Sequence, residues 1–130
     1  MPFDGGFPVT PGQHFRPGHE AYDHKTPMQT PLLAMLGGVA AYAGWDDRFP
    51  VGSDNGRGMY VDVDHGILAD GARWVSRMLH LTAIAVVVGE MVQTGQIVGL
   101  SGSTGLSTGP HVHTSIWRDG IPIDWLPLAG

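Results

Sequence analysis

Glycine and proline recur so often along this chain that they favour many turns and short strands over long helices. The chain contains 20 glycines and 10 prolines among its 130 residues. This length allows one domain with a substantial core, but not two domains of typical size. We therefore expect a single domain over residues 1–130.

Short apolar segments separated by glycine-containing turns predict where the strands lie. The clearest alternation of apolar and polar residues covers Met59–Asp64, which we expect to end in a turn at His65 and Gly66. The proline-rich residues 1–31 are expected to be mostly irregular, with one short strand. Further strands are predicted within residues 32–42 (strand, turn, strand), 73–81, 86–100 and 112–117, with a polar loop over 46–58. This pattern predicts a mainly β fold, an antiparallel sheet or sandwich of short strands with long irregular loops.

The same alternation bears on the polar and aromatic residues of the sheet. Asp62 and Asp64 are interpreted as a solvated strand face opposite Val61 and Val63, rather than as part of a second metal site. The tryptophans are expected in the core or at the rim of a groove: Trp45, Trp74, Trp117 and Trp125.

Composition excludes several classes of function. The formal net charge of −5 argues against a nucleic-acid partner, because such proteins use basic patches. The chain has no cysteine, so a metal would have to be bound by histidine and carboxylate. Its most apolar run, Leu79–Val88, is too short to span a bilayer. The first residues lack the basic start and apolar core of an export signal. We therefore expect no nucleic-acid partner and no membrane insertion.

Two histidines stand two residues apart near the end of the chain, at His111 and His113. Side chains alternate along a strand, so two such imidazoles point to the same face. This arrangement suits a metal ligand beside a group that transfers protons. An isolated His-x-His is expected about as often to be a pair of surface histidines.

Other candidate ligands lie far from this pair in the sequence. His19 and Asp23 form a His-x-x-x-Asp, and His80 stands between two leucines. Catalytic zinc takes three protein ligands from histidine and carboxylate, and it leaves a fourth position for water. His19, Asp23 and His113 would supply such a set. Taken alone, the first pair is usually coincidental, and a histidine between leucines is usually a satisfied core residue.

The order and surroundings of these residues resemble the M23 family of zinc metallopeptidases, the lysostaphin- and LytM-like endopeptidases that cut peptides in bacterial peptidoglycan. The resemblance begins with the His-x-x-x-Asp and continues with His80-Leu81. A hairpin follows that reads Val88-Gly-Glu-Met-Val-Gln-Thr-Gly-Gln-Ile-Val-Gly99. The closing block reads Gly102-Ser-Thr-Gly-Leu-Ser-Thr-Gly-Pro-His-Val-His113. With the tail Gly120-Ile-Pro-Ile-Asp-Trp-Leu126, the resemblance covers roughly residues 8–126.

This resemblance implies a LytM-like metallopeptidase fold and one zinc ion per chain, bound by His19, Asp23 and His113. It also implies hydrolysis of a peptide bond in the cross-bridge or stem peptide of peptidoglycan. His111 would orient the attacking water or take its proton, and His80 would donate a hydrogen bond to the developing oxyanion.

The chain departs from the family near its first ligand. Ala21 stands where the family usually has glycine, and His24 where it usually has an apolar residue. His14 and His24 lie close enough to compete as ligands. In the closing block, three glycines are expected to let the backbone turn tightly and bring an extended peptide close to the metal: Gly102, Gly105 and Gly109.

Two other functions are compatible with parts of this sequence. A non-catalytic relative could serve as a wall-binding or structural module, but such relatives usually lose ligands, and here every expected position is filled. The hairpin also resembles lipoyl and biotinyl carrier domains. These domains need a lysine at the tip of a hairpin for attachment. The only lysine, Lys25, is far from any such hairpin, which excludes a carrier domain. We expect a monomer that acts on the bacterial cell wall, released from the cytoplasm or delivered by a virion or larger protein, as a phage endolysin or virion-associated lysin would be.

Overall fold

Strands account for all the regular secondary structure in the part of the chain that the computed structural model describes, residues 22–25, 27–107, 109 and 111–123. This confirms the predicted mainly β fold. The strands are β1 (Tyr22–Lys25), β2 (Pro31–Leu33), β3 (Gly38–Trp45), β4 (Met59–Ile67), β5 (Arg73–Ile84), β6 (Met91–Val92), β7 (Ile97–Ser101), β8 (His111–Arg118) and β9 (Ile121–Ile123). No helix able to cross a membrane occurs among these residues.

The strands form one curled antiparallel sheet in which β5 has a central place. The main order is β1-β8-β5-β4-β3-β6, while β2 pairs with β7 and β9 pairs with β8. β5 pairs with β4, with β8 and, near its end, with β7. Strand β8, near the end of the chain, thus lies between the first strand and the middle of the chain.

Strand β4 is longer than the alternation predicts. It continues through His65 and Gly66 to Ile67 instead of turning, so the predicted turn is wrong. The β4–β5 register shifts between Asp64 and Gly66, and a bulge of this kind absorbs a glycine without ending the pairing. The His65 ring joins the strands, since Nδ1 donates to Gly37 O at 3.0 Å and Nε2 lies 2.9 Å from Ser76 Oγ.

One face of the sheet packs into the hydrophobic core. Val61 pairs with Met78 in the β4–β5 register, and both side chains are fully buried. Burying an aliphatic side chain of this size contributes about 1.5–3 kcal/mol. The core continues along the sheet through Leu32, Ala40, Val63, Leu81, Val92 and Val98.

The opposite face of β4 is also covered, which corrects the interpretation of Asp62 as solvated. Asp62 is 8% exposed, and its carboxylate accepts from Arg77 Nε and Nη2 at 2.7 and 2.8 Å. Tyr60 stacks on Tyr42 beside this pair, with ring centroids 4.3 Å apart. Asp62 is buried because an arginine lies directly opposite it in the β4–β5 register, a contact that alternation alone cannot reveal. Asp64 is partly exposed, as predicted.

Candidate functional site

Strand β8 carries His113 between β1 and β5. In the antiparallel registers His113 is the partner of Asp23 on β1 and of Leu79 on β5. The fold therefore makes neighbours of two predicted site residues that lie far apart in the sequence.

His80 lies in a bulge of β5 next to His113. The β4–β5 register gains one residue on β5 at Leu79–His80, opposite Tyr60. His80 has φ +64°, a conformation that costs a non-glycine residue about 1–3 kcal/mol. The ring centroids of His80 and His113 lie 6.0 Å apart, and the rings are nearly perpendicular at 82°. The bulge thus brings two predicted site histidines together at the cost of local backbone strain.

A hydrogen bond assigns the proton on the His80 ring. Nδ1 lies 2.7 Å from the backbone oxygen of Thr104. A carbonyl oxygen can only accept, so Nδ1 carries a proton and donates it. Nε2 is the other ring nitrogen. It accepts in the neutral ring and donates only when both nitrogens are protonated.

Two loops cross beside His80 with their backbones in contact. Leu106 N donates to Gly56 O at 2.8 Å, and Met59 N donates to Thr104 Oγ1 at 3.1 Å. A Cβ on Gly105 would lie 2.3 Å from Gly58 N, so only glycine fits this crossing. Sequence reasoning missed Gly56, Gly58 and Thr104, although the turn-forming Asp-Asn-Gly-Arg-Gly run at 54–58 was a signal.

The three glycines of the closing block differ in what surrounds them. Gly105 allows contact with the neighbouring loop. A Cβ on Gly102 would lie 2.7 Å from Thr82 N, so this glycine allows close approach of β5. A Cβ on Gly109 would meet nothing within 4 Å.

Asp46 fixes the loop that crosses there. Its carboxylate is 2% exposed and accepts from Arg48 Nε at 2.9 Å and from Arg57 N at 3.0 Å. The Arg48 guanidinium, followed by the backbone donors, holds the pKa of Asp46 well below its usual range. The ionised side chain therefore anchors the start of the loop to Arg57, next to His80.

A cavity of about 300 Å³ opens on the sheet face that carries His113. His113, Ser115 and Trp117 alternate along β8 and so share that face. Val75 is the register partner of Trp117 and lies beside it. The cavity is lined by Arg73, Val75, Arg77, Trp117 and Gly120.

The predicted site residues are described to different extents. His19 and His14 lie outside the described residues, as does Trp125. The backbone of His111 is paired with Lys25, and that of His24 with Val112. Within the described ranges, no three His, Asp or Glu side chains form a group able to hold a metal. The ligand set of His19, Asp23 and His113 therefore stays a prediction.

Known proteins of similar sequence and structure identify the family. The model of peptidase family M23 matches residues 17–125. The peptidoglycan DD-endopeptidase ShyA of Vibrio cholerae is 34% identical over 96 residues, which cover 66% of this chain and 22% of ShyA. The chain spans about a quarter or less of the curated relatives that it matches.

Two solved structures share the fold. The catalytic domain of lysostaphin from Staphylococcus simulans is 30% identical with a TM-score of 0.70, covering 99% of this chain and 89% of that one. A zinc-containing peptidase from Vibrio cholerae is 26% identical with a TM-score of 0.76, covering 95% and 37%. With the strand order and the closing block, these likenesses confirm the expected lysostaphin- and LytM-like fold, and the chain belongs to peptidase family M23.

Proposed function

We propose that this chain is a zinc-dependent endopeptidase that hydrolyses peptide bonds in bacterial peptidoglycan. The observation that carries the proposal is the position of His113, which pairs with Asp23 on one side and lies 6.0 Å from the His80 ring on the other. The similarity to a peptidoglycan endopeptidase and to a zinc-containing peptidase supports the substrate and the metal.

The donor chemistry of this region fits zinc. The sheet register makes an aspartate and a histidine neighbours, and carboxylate and imidazole are the donors of catalytic zinc in a chain without cysteine. We propose one zinc ion per chain, bound by His19, Asp23 and His113. The chemistry that zinc supplies when bound is Lewis acidity, which polarises the scissile carbonyl and lowers the pKa of an attacking water.

The remaining histidines handle protons and charge. His111 orients the attacking water or takes its proton. His80 donates a hydrogen bond to the developing oxyanion through Nε2, because its Nδ1 already donates to the backbone oxygen of Thr104. Donation from Nε2 then requires the doubly protonated ring. A preorganised donor of this kind commonly lowers the barrier by about 3 kcal/mol.

The cavity beside Trp117 supports the binding of an extended substrate. It lies on the face of His113, further along β8, and is lined by an aromatic ring and two arginines. We propose that residues 1–130 form a single peptidase domain that acts as a monomer. Delivery by a virion or a larger protein, as for a phage lysin, belongs to the same proposal. Light scattering of the purified protein measures its oligomeric state.

The experiment is digestion of purified peptidoglycan of several chemotypes, followed by mass spectrometry of the new amino termini. Zinc content is measured in the same samples. We expect about one zinc per chain, cleavage that a chelator abolishes and cleavage that added zinc restores. The position of the new termini assigns the bond to the cross-bridge or to the stem peptide.

Variants separate the ligands from the catalytic groups. His113→Ala should lose most of its zinc, whereas His80→Ala should keep zinc and the fold but lose about 100-fold in activity. His24→Ala tests the competing ligand and should keep both zinc and activity. Full zinc occupancy in His113→Ala would contradict the ligand set. No new termini from any zinc-loaded digest would favour a non-catalytic wall-binding module instead.

A further inference from the structure

Arg57 differs from the other described arginines because its guanidinium pairs with no carboxylate among the described residues. It lies over the ring of Tyr60, with Cζ 5.2 Å from the centroid and Nη1 3.5 Å from the hydroxyl. The others each pair with an aspartate at N–O distances between 2.6 and 2.9 Å: Arg48, Arg73, Arg77 and Arg118.

The backbone of Arg57 is fixed at the edge of the candidate site. Its carbonyl oxygen accepts from His80 N at 3.0 Å. Its own N–H donates to Asp46 Oδ2 at 3.0 Å. Arg57 therefore keeps a set position relative to His80, and its partly buried side chain starts from a rigid base.

The side chain of Arg57 lies on the sheet face that carries the candidate site. Tyr60 is 6% exposed, and Arg77 also lies over its ring, with Cζ 5.3 Å from the centroid. Arg77 is the register partner of Ser115 on β8, two residues from His113. Directly opposed residues of an antiparallel pair share a face, so Tyr60, Arg77 and His113 lie on the same side of the sheet.

Three aspartates, including Asp47, lie near this cluster, but no described carboxylate pairs with the Arg57 guanidinium. Asp62 neutralises Arg77, and Asp46 is neutralised by Arg48. A partly buried guanidinium without a bound anion is unfavourable, and a carboxylate held in its fork would supply charge-assisted hydrogen bonds. Since the whole chain carries a formal charge of −5, this positive charge is local rather than part of a basic surface.

We propose that Arg57 binds a free carboxylate of the substrate and so determines specificity for anionic wall peptides. This inference rests on the proposed function and decides between its two substrate classes. Stem peptides carry free carboxylates, whereas a cross-bridge of uncharged residues carries none. Arg57 would hold the carboxylate while the scissile bond lies at the neighbouring histidines.

The test compares two stem peptides of identical sequence, one with its free carboxylate and one with that group amidated. Zinc-loaded wild-type protein should cleave the carboxylate form with kcat/KM about 10- to 100-fold higher, which is the range of a charge-assisted hydrogen bond. In Arg57→Gln this ratio should fall to about two or less, with little change on the amidated peptide. Arg57→Lys should restore part of the ratio, because it keeps the charge without the fork.

Arg118→Gln is the matched control, since Arg118 is an exposed arginine already paired with Asp70. Its ratio should equal that of the wild type. A structural defect in Arg57→Gln would lower kcat/KM for both peptides equally, so the ratio isolates recognition of the carboxylate. Equal cleavage of the two peptides by the wild type, or an unchanged ratio in Arg57→Gln, would overturn the role of Arg57 while leaving peptidase activity established.

Calorimetric binding of both peptides keeps the test decisive if no cleavage occurs. In that case the endopeptidase proposal fails, but the ratio of dissociation constants still measures carboxylate recognition. A ratio above about 10 that Arg57→Gln abolishes supports the anion site. A ratio near one would show that Arg57 does not bind the carboxylate.

Discussion

Alanine at Gly105 would force apart two loops whose backbones are in contact beside His80. The new Cβ would lie 2.3 Å from Gly58 N and 2.5 Å from Gly56 O, and neither backbone atom can rotate away. Gly105 also has φ +74°, which costs an L-residue about 1–2 kcal/mol. Displacing packed atoms adds about 1–3 kcal/mol. We expect Gly105→Ala to lower the free energy of unfolding by about 3 kcal/mol.

Gly95→Ala separates the two contributions. Gly95 has a similar φ of +80°, but a Cβ there would meet nothing within 4 Å. This variant should therefore lose about 1 kcal/mol, from backbone strain alone. For a domain of this size about 4 °C of melting temperature corresponds to 1 kcal/mol, so we expect shifts of about 12 °C and about 4 °C.

The assay is thermal and urea unfolding of both variants at one pH and one zinc concentration. Activity is then measured well below the lower melting temperature. Thr104 O accepts a hydrogen bond from His80 Nδ1. Displacing the loop that carries Thr104 should therefore reduce activity in Gly105→Ala, whereas Gly95→Ala should keep it. Equal losses of stability in the two variants would refute the loop crossing as the reason for glycine at 105.

Three further outcomes follow from other contacts. The pKa of Asp46 is lower in the folded protein than in the unfolded chain. Its charged form therefore stabilises the fold above about pH 4, and this contribution is lost as the pH falls through the folded-state pKa. The melting temperature of Asp46→Asn should therefore fall less than that of the wild type on acidification. Asp62→Asn leaves a mostly buried Arg77 without its anion and should cost about 2 kcal/mol in urea unfolding. Trp117→Ala should raise KM for a wall peptide without changing zinc content, and an unchanged KM would remove the cavity from the substrate path.

The closing block and the periodicity of the chain were sufficient to predict the family and the mainly β fold. Residues 102–113 are distinctive by residue type and spacing, and these are properties of the chain itself. Glycine and proline divided the apolar segments correctly at Gly37 and at 46–58, because local backbone preference decides where strands are interrupted. Local patterns therefore predicted most of the strands, although β9 was missed and β4 and β5 extend further than expected.

The partners of these strands depended on tertiary structure. Alternation assigned the Asp62 side chain to solvent. The β4–β5 register instead places Arg77 opposite it, and this contact forms only when the two strands pair. No local signal places a bulge at His80 or shows that the Thr104 carbonyl occupies its Nδ1. The neighbourhood of Asp23 and His113 likewise arises only when β8 pairs with the first strand. Residue types determine which chemistry is possible, whereas non-local pairing decides which groups meet, because a strand's neighbours are set by packing over the whole sheet rather than by its own sequence.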